Sequence, residues 1–182
     1  LGDVYKRQDR LDYFNQESCD KIEIQRLSDG MKLSNDEWCL EVIATPGHLF
    51  DHICLALAGS EIIFTGDHVM GWSSTVIIPP SGNMTQFISS LQKLLIRTEN
   101  IYLPGHGPVI GDAKKYVRQQ LEHRELRKNQ IINLLRERSL TPNELVSFIY
   151  PNLNENLLEA AAHTVYAHLL DLNCSNVVVT KG

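Results

Sequence analysis

Short apolar runs separated by glycine-containing turns fill the first 110 residues of the chain, and they predict a β-rich region. The predicted strands cover residues 21–27, 38–45, 52–58, 61–65 and 101–103. The third and fourth strands are separated by the turn residues Gly59 and Ser60, so we expect them to pair as an antiparallel hairpin. One helix interrupts this region. It begins near Asn83 and covers residues 86–97, with its apolar residues on one face.

From residue 112 onward the periodicity becomes helical. The predicted helices cover residues 113–138, 142–149 and 156–172, and a final strand covers residues 176–180. The second helix has a clear start, because Thr141 and Glu144 have the spacing of a capping box and Pro142 lies in the first turn. Three helices followed by a strand are the order of elements in a winged helix. A strip of apolar residues predicts that the third helix packs in a core; these residues are Leu157, Leu158, Ala161, Val165, Leu169 and Leu172.

This pattern predicts an α+β fold with a boundary near Gly111. The charge distribution agrees with that boundary, since residues 1–111 carry a net charge of −6 and residues 112–182 carry +1. Residues 9–111 are therefore predicted to form one domain and residues 112–182 a smaller helical one. Residues 1–8 (LGDVYKRQ) resemble a translated sequencing adaptor, so they are interpreted as a non-native tail.

Composition narrows the class of protein without naming a function. The net charge of −5 gives no overall attraction to nucleic acid or to anionic membranes, and no apolar run reaches the roughly 18 residues of a membrane span. The four cysteines, Cys19, Cys39, Cys54 and Cys174, form no CxxC pair. Cys39 and Cys54 lie in apolar runs, which predicts buried thiols in a reducing compartment such as the cytoplasm.

Three short motifs carry the candidate chemistry, and each follows a predicted strand. They are TPGH with Asp51 and His52 after it, FTGDH, and LPGHGP. Each places an imidazole or a carboxylate in a turn that contains glycine, and strand ends are rigid positions from which to present metal ligands. Taken singly, each histidine is more often a solvated side chain and each Gly-Asp a simple turn. Three such turns in one short chain favour convergence on a metal site.

These motifs, in this order, resemble the third, fourth and fifth metal-binding motifs of the metallo-β-lactamase fold. The segment GDHVMGWSSTVIIPPSGNM (residues 66–84), the later Glu122-His123-Arg124 and the helical block resemble the subgroup with a C-terminal winged helix. That subgroup includes a mitochondrial endoribonuclease and many bacterial hydrolases. The resemblance implies the C-terminal part of an αββα sandwich followed by a small winged-helix domain.

The resemblance implies a role for five residues. His48 would bind the first metal ion, Asp67 would bridge both ions, and His106 would bind the second. The cofactor would be two zinc ions, which would activate a water for attack on an ester, thioester or phosphodiester. His52 and His68 would lie outside the ligand set, with His52 supporting a ligand and His68 lining the mouth of the site.

Two departures from the family pattern affect the expected activity. The family's leading HxHxDH motif, which supplies three imidazoles and the general base, does not occur before His48, which is the first histidine of the chain. We therefore expect no catalytic base among these residues, and a fragment that binds metal poorly and is inactive alone. Leu49 stands where the family usually has threonine.

The helical block raises the question of nucleic acid. The third helix holds no Lys or Arg, so sequence-specific DNA binding is not expected. The long helix is rich in cations, namely Lys114, Lys115, Arg118, Arg124, Arg127, Lys128, Arg136 and Arg138. Two interpretations stay open for them, a solvated helix face and a basic surface that attracts RNA phosphates.

Three functions remain open at this point. The first is a metal-dependent hydrolase of small-molecule esters, thioesters or RNA. The second is a thioesterase similar to hydroxyacylglutathione hydrolase, although the helical block resembles the winged-helix group more than that enzyme's substrate-binding helices. The third is a non-catalytic interaction module that carries only a vestigial half-site. No membrane association is expected for any of them.

Overall fold

The computed structural model describes residues 25–180, and a five-stranded sheet forms the first part. The strands are β1 (Lys32–Ser34), β2 (Cys39–Ala44), β3 (Ile53–Leu57), β4 (Ile62–Gly66) and β5 (Ile101–Pro104). They lie in sequence order across the sheet, and the first three pairings are antiparallel. The predicted hairpin is therefore confirmed as β3 and β4. β5 pairs parallel to β4, with Ile63 opposite Tyr102.

Within residues 25–180 the sheet is accompanied by four α-helices: α1 (Met84–Leu95), α2 (Ala113–Glu137), α3 (Pro142–Ile149) and α4 (Leu158–Cys174). Asn83 caps α1 by accepting a hydrogen bond from the backbone N–H of Gln86. The predicted capping box at the start of α3 is present. A short 3₁₀ turn, Glu155–Leu157, precedes α4. In the described part of the chain no helix is long and apolar enough to cross a membrane.

Two apolar cores hold these elements together, and the long helix α2 belongs to both. In the first core, the sheet packs against α1 and the start of α2, where Ala113 and Val117 are fully buried. The second core lies among α2, α3 and α4 around Ile131 and Leu145, both fully buried. Ala167 of α4 also packs in the first core. The helical block is thus packed directly on the core of the sheet. The predicted domain boundary near Gly111 stays a prediction.

Two predicted strands differ from the structure. Residues 21–24 lie outside the described part of the chain, and residues 25–27 are in no strand. The predicted strand over residues 176–180 is wrong, because its first residues end α4 instead. Asn176 has a φ of 56°, and the N–H groups of Asn176 and Val177 donate to the carbonyls of Asn173 and Leu172. This is the Schellman arrangement of helix ends.

Some burial predictions also need correction. Val165 and Leu172 of α4 are buried as predicted, but Leu157 is 53% and Leu158 is 40% exposed. Leu157 lies in the 3₁₀ turn and Leu158 is the first residue of α4, so the helical periodicity that buries the later residues does not yet apply. Among the cysteines, Cys54 is buried as predicted, whereas Cys39, at the start of β2, is only partly buried.

Candidate metal centre

The three motifs meet at one edge of the sheet. β2, β4 and β5 run in the same direction, because β2 and β4 are both antiparallel to β3 and β5 is parallel to β4. Their C-terminal ends therefore lie at the same edge. His48, Asp67 and His106 follow these three ends, and His52 precedes β3 at that edge.

Asp67 and His106 form the closest pair of predicted ligands. The Nε2 atom of His106 lies 3.5 Å from Oδ1 of Asp67, and both side chains are accessible to solvent, 59% and 41% exposed. The N–H of Gly105 donates to the carbonyl of Gly66 at 2.8 Å, which joins the two turns. A Cβ at Gly105 would lie 2.9 Å from Oδ1 of Asp67, so glycine lets the two turns approach this closely.

Among the described residues, His48 forms a hydrogen bond through one of its two ring nitrogens. Its Nδ1–H donates to the carbonyl of Val76 at 2.9 Å, which leaves the lone pair of Nε2 available to a metal ion. The preceding Gly47 has a φ of +138°, and a Cβ there would lie 2.3 Å from the Cα of Phe87 in α1. The turn that presents His48 therefore requires glycine.

His52 supports Asp67 as part of a chain of hydrogen bonds, in which each group accepts a hydrogen bond from the group before it and donates one to the group after it. The N–H of Asp67 donates to Nε2 of His52 at 3.2 Å, so the ring proton is on Nδ1, which donates to Oγ1 of Thr45 at 2.9 Å. Oγ1 of Thr45 lies 3.3 Å from Sγ of Cys54, and that thiol donates to the carbonyl of Thr65. Burial, and then the neighbouring His48, lowers the pKa of His52, which favours this neutral ring.

His68 lies in the interior and not at the mouth of a site, so that prediction is wrong. It is 1% exposed, with its ring 5.7 Å from that of His52 and 4.7 Å from that of Phe87. Within residues 25–180 neither ring nitrogen has a hydrogen-bond partner. Burial, chiefly, lowers the pKa of His68 to about 3, so the ring is neutral near pH 7. The FTGDH motif itself contains no signal that His68 is buried.

The donor atoms suit a divalent cation but do not enclose one. Imidazole nitrogen and carboxylate oxygen are ordinary zinc ligands. No group of three His, Cys, Asp or Glu side chains within residues 25–180 is arranged to hold a single ion.

Comparison with known proteins identifies the fold. The sequence model of the beta-lactamase associated winged helix domain matches residues 141–182. The Beta-lactamase-like protein 2 homolog of Caenorhabditis elegans is 32% identical over 154 residues, which cover 84% of this chain and 50% of that protein. A metallo-beta-lactamase family protein from Thermus thermophilus superposes with a TM-score of 0.76 at 24% identity, covering 86% of this chain and 51% of the other. The chain is a metallo-β-lactamase-fold protein with a C-terminal winged helix.

A second relative is also longer than this chain. The atrochrysone carboxyl ACP thioesterase of Aspergillus fumigatus is 30% identical over 141 residues, which cover 71% of this chain and 44% of that enzyme. This metallo-β-lactamase-fold chain thus spans about half the length of the curated relatives it matches. The fold, its winged helix and the hydrolase-like character of the relatives agree with the resemblance carried by the three motifs.

The burial of Arg124 in this metallo-β-lactamase-fold protein is a feature that the motifs did not predict. Its charge suggests a surface position on the long helix, but Arg124 is 3% exposed and donates to the carbonyl of Thr75. Its guanidinium lies 4.9 Å from the centre of the Phe87 ring, and burial lowers its pKa to about 10, at which it is still charged near pH 7. The signal was its spacing, because Val117, Arg124 and Ile131 are seven residues apart and all three are buried.

Trp72 is a second residue that sequence reasoning missed. Its ring is parallel to that of His106, with 4° between the planes and 6.3 Å between the centres, and it is 70% exposed. The loop that carries it is fixed, since the N–H of Gly71 donates to the carbonyl of His106 and the hydroxyl of Tyr116 to that of Met70. Its neighbours in sequence are small or polar, so no pattern indicated this contact.

Proposed function

We propose that this chain forms the downstream part of the active site of a metal-dependent hydrolase, with His48, Asp67 and His106 as metal ligands. The observation that carries the proposal is the approach of Asp67 to His106 at the sheet edge where His48 also lies, with the His48 ring held through Nδ1. The two domains would be residues 9–111 and 112–182. The proposed cofactor is a pair of zinc ions.

The protein's own residues would bind and orient these ions. His48 would hold one ion through Nε2, His106 would hold the other, and the two oxygens of Asp67 would contact both. His52 would keep the turn of Asp67 in place through the hydrogen bond to its N–H. When bound, a metal pair supplies an activated water and stabilises negative charge on the substrate oxygen. The general base would come from an upstream HxHxDH motif.

We propose an ester or thioester as the substrate class. The named thioesterase among the relatives supports this choice, and it also keeps the second candidate, a thioesterase, within the same chemistry. RNA is less well supported, because Arg124 is buried and does not contribute to a basic surface. We place the protein in a reducing compartment such as the cytoplasm, where the free thiols Cys54 and Cys174 would stay reduced.

The upstream coding sequence distinguishes between two hypotheses, that the protein is an enzyme and that it is a non-catalytic interaction module. We expect an HxHxDH motif there, and a protein extended to include it to hydrolyse acyl thioesters in a metal-dependent way. A panel of acyl thioesters, esters and single-stranded RNA identifies the class, with His106→Ala as the inactive variant and His163→Ala on the exposed side of α4 as the control. Cleavage of RNA alone would overturn the substrate proposal, and an upstream region without histidines would overturn the enzyme.

A further inference from the structure

We propose that the helical block positions two of the candidate metal ligands through one short segment, Thr75–Ile77, which is called the connecting segment here. The inference deepens the proposed function and rests on it for its meaning, because the residues that it positions are the proposed ligands. The segment contacts Asp67 and His48 on one side. On its other side it contacts α2 and α4.

The side that faces the metal centre makes one hydrogen bond to each ligand-bearing turn. Oγ1 of Thr75 donates to the carbonyl of Asp67 at 2.8 Å and lies 3.2 Å from that of His68. The carbonyl of Val76 accepts from Nδ1–H of His48 at 2.9 Å. The first bond fixes the backbone of the Asp67 turn. The second fixes both the orientation of the His48 ring and the nitrogen that carries its proton.

The side that faces the helical block is held at the first and third residues. Arg124 of α2 donates to the carbonyl of Thr75, and the N–H of Ile77 donates to Oγ1 of Thr164 in α4 at 3.3 Å. Thr75, Ile77 and Arg124 are nearly fully buried, at 2%, 0% and 3% exposed. Buried hydrogen bonds of this kind are costly to break, because the freed groups do not reach water.

A movement of the helical block would therefore reach His48 and Asp67 through the connecting segment. Both ends of the connecting segment are bonded to helices, and its first two residues are bonded to the ligand-bearing turns. A shift of the segment must move the Val76 carbonyl away from His48 or stretch the bond to Asp67. Metal sites lose affinity when such supporting bonds are lost. Arg124 and Thr164 thus act as positioning residues, and the helical block has a role at the metal centre that needs no contact with nucleic acid.

The test uses a pair of substitutions at Thr164 in the present chain, without metal. Thr164→Val keeps the shape of the side chain but removes the hydroxyl that accepts from Ile77, whereas Thr164→Ser keeps the hydroxyl. Thr85→Val is the matched control, because Thr85 of α1 donates to Asp171 of α4 and is not among the hydrogen-bond partners of the connecting segment. Nitrogen NMR of the His48 ring, recorded at about pH 8 for every variant, reports which ring nitrogen carries the proton.

In the unsubstituted chain we expect the Nδ1–H form of His48 to predominate. Thr164→Val should speed hydrogen exchange of the Ile77 amide about tenfold and lower the ratio of the Nδ1–H to the Nε2–H form about threefold or more. Thr164→Ser and Thr85→Val should leave both values as they were. Arg124→Gln should lower the same ratio, provided that its circular dichroism shows a folded protein.

The inference is overturned if Ile77 exchanges faster in Thr164→Val while the His48 ratio is unchanged. It is also overturned if Thr85→Val changes that ratio as much as Thr164→Val, since the effect would then be general loosening. Neither readout requires a bound metal. Failure of the extended protein to bind zinc would refute the proposed function and leave the measured coupling intact, so the two failures are distinguishable.

Discussion

His168 gives a sharp prediction about how stability depends on pH. It lies on α4, is 2% exposed, and within the described residues neither ring nitrogen has a hydrogen-bond partner. Burial, followed by the neighbouring Arg124, His123, Lys128 and Arg127, lowers the pKa of His168 to about 3. The ring is therefore neutral in the folded protein near pH 7. In the unfolded chain the same ring should titrate near its ordinary pKa of about 6.5.

The sign and size of the effect follow from this difference. Between pH 6.5 and about pH 3 the unfolded chain binds a proton at His168 that the folded protein does not, so stability falls as the pH is lowered. The full contribution is present above the unfolded pKa. Each pH unit in this window costs about 1.4 kcal/mol, so acidification from pH 7 to pH 5 should remove about 2 kcal/mol of the free energy of unfolding through this one residue.

Urea unfolding followed by circular dichroism at pH 7, 6 and 5 measures the effect. We compare the unsubstituted chain with His168→Gln, which cannot titrate, and with His163→Gln, a control on the same helix whose side chain is 41% exposed. The difference in stability between pH 7 and pH 5 should be about 2 kcal/mol smaller for His168→Gln than for the other two. Equal pH dependence in all three proteins would refute the assignment of a buried, neutral His168. Contributions from other groups, including His68, are common to the three and cancel.

Three further substitutions test the packing, each by urea unfolding. Gly47→Ala should destabilise by about 3 kcal/mol or more, because the new Cβ would meet the backbone of Phe87 at a φ of +138°; an effect below about 1 kcal/mol would contradict the geometry. Leu145→Ala should cost about 2–5 kcal/mol, since Leu145 is fully buried in the second core, and a neutral result would mean that this core is not formed. Thr141→Ala should cost about 1 kcal/mol through loss of the capping box, whereas Ser147→Ala, later in the same helix, should change little.

Local signals in the sequence predicted the parts of the fold that depend on neighbouring residues. The hairpin of β3 and β4, the start of α1 at Asn83 and the capping box at Thr141 each depend on side chains within a few positions of one another. The terminal strand was predicted from the apolar residues Val177–Val179 alone. Hydrogen bonds that end α4 occupy the first of these residues instead.

The details of the candidate metal centre were harder to predict from the sequence, because they depend on main-chain atoms that are distant in the chain. The motifs located His48, Asp67 and His106 at strand ends, and the structure brings those ends to one edge. The carbonyl of Val76, which holds His48, leaves no trace in the pattern of side chains. Arg124 was detectable from its spacing to Val117 and Ile131, but its partner Thr75 was not.

The zinc content of a protein extended to include the upstream motif tests the central claim most directly. We expect about two ions per chain, about one or fewer after Asp67→Ala because the bridging carboxylate serves both, and about two in the control His163→Ala. A content of about two ions that persists after Asp67→Ala and after His106→Ala would contradict the assignment of these residues as metal ligands.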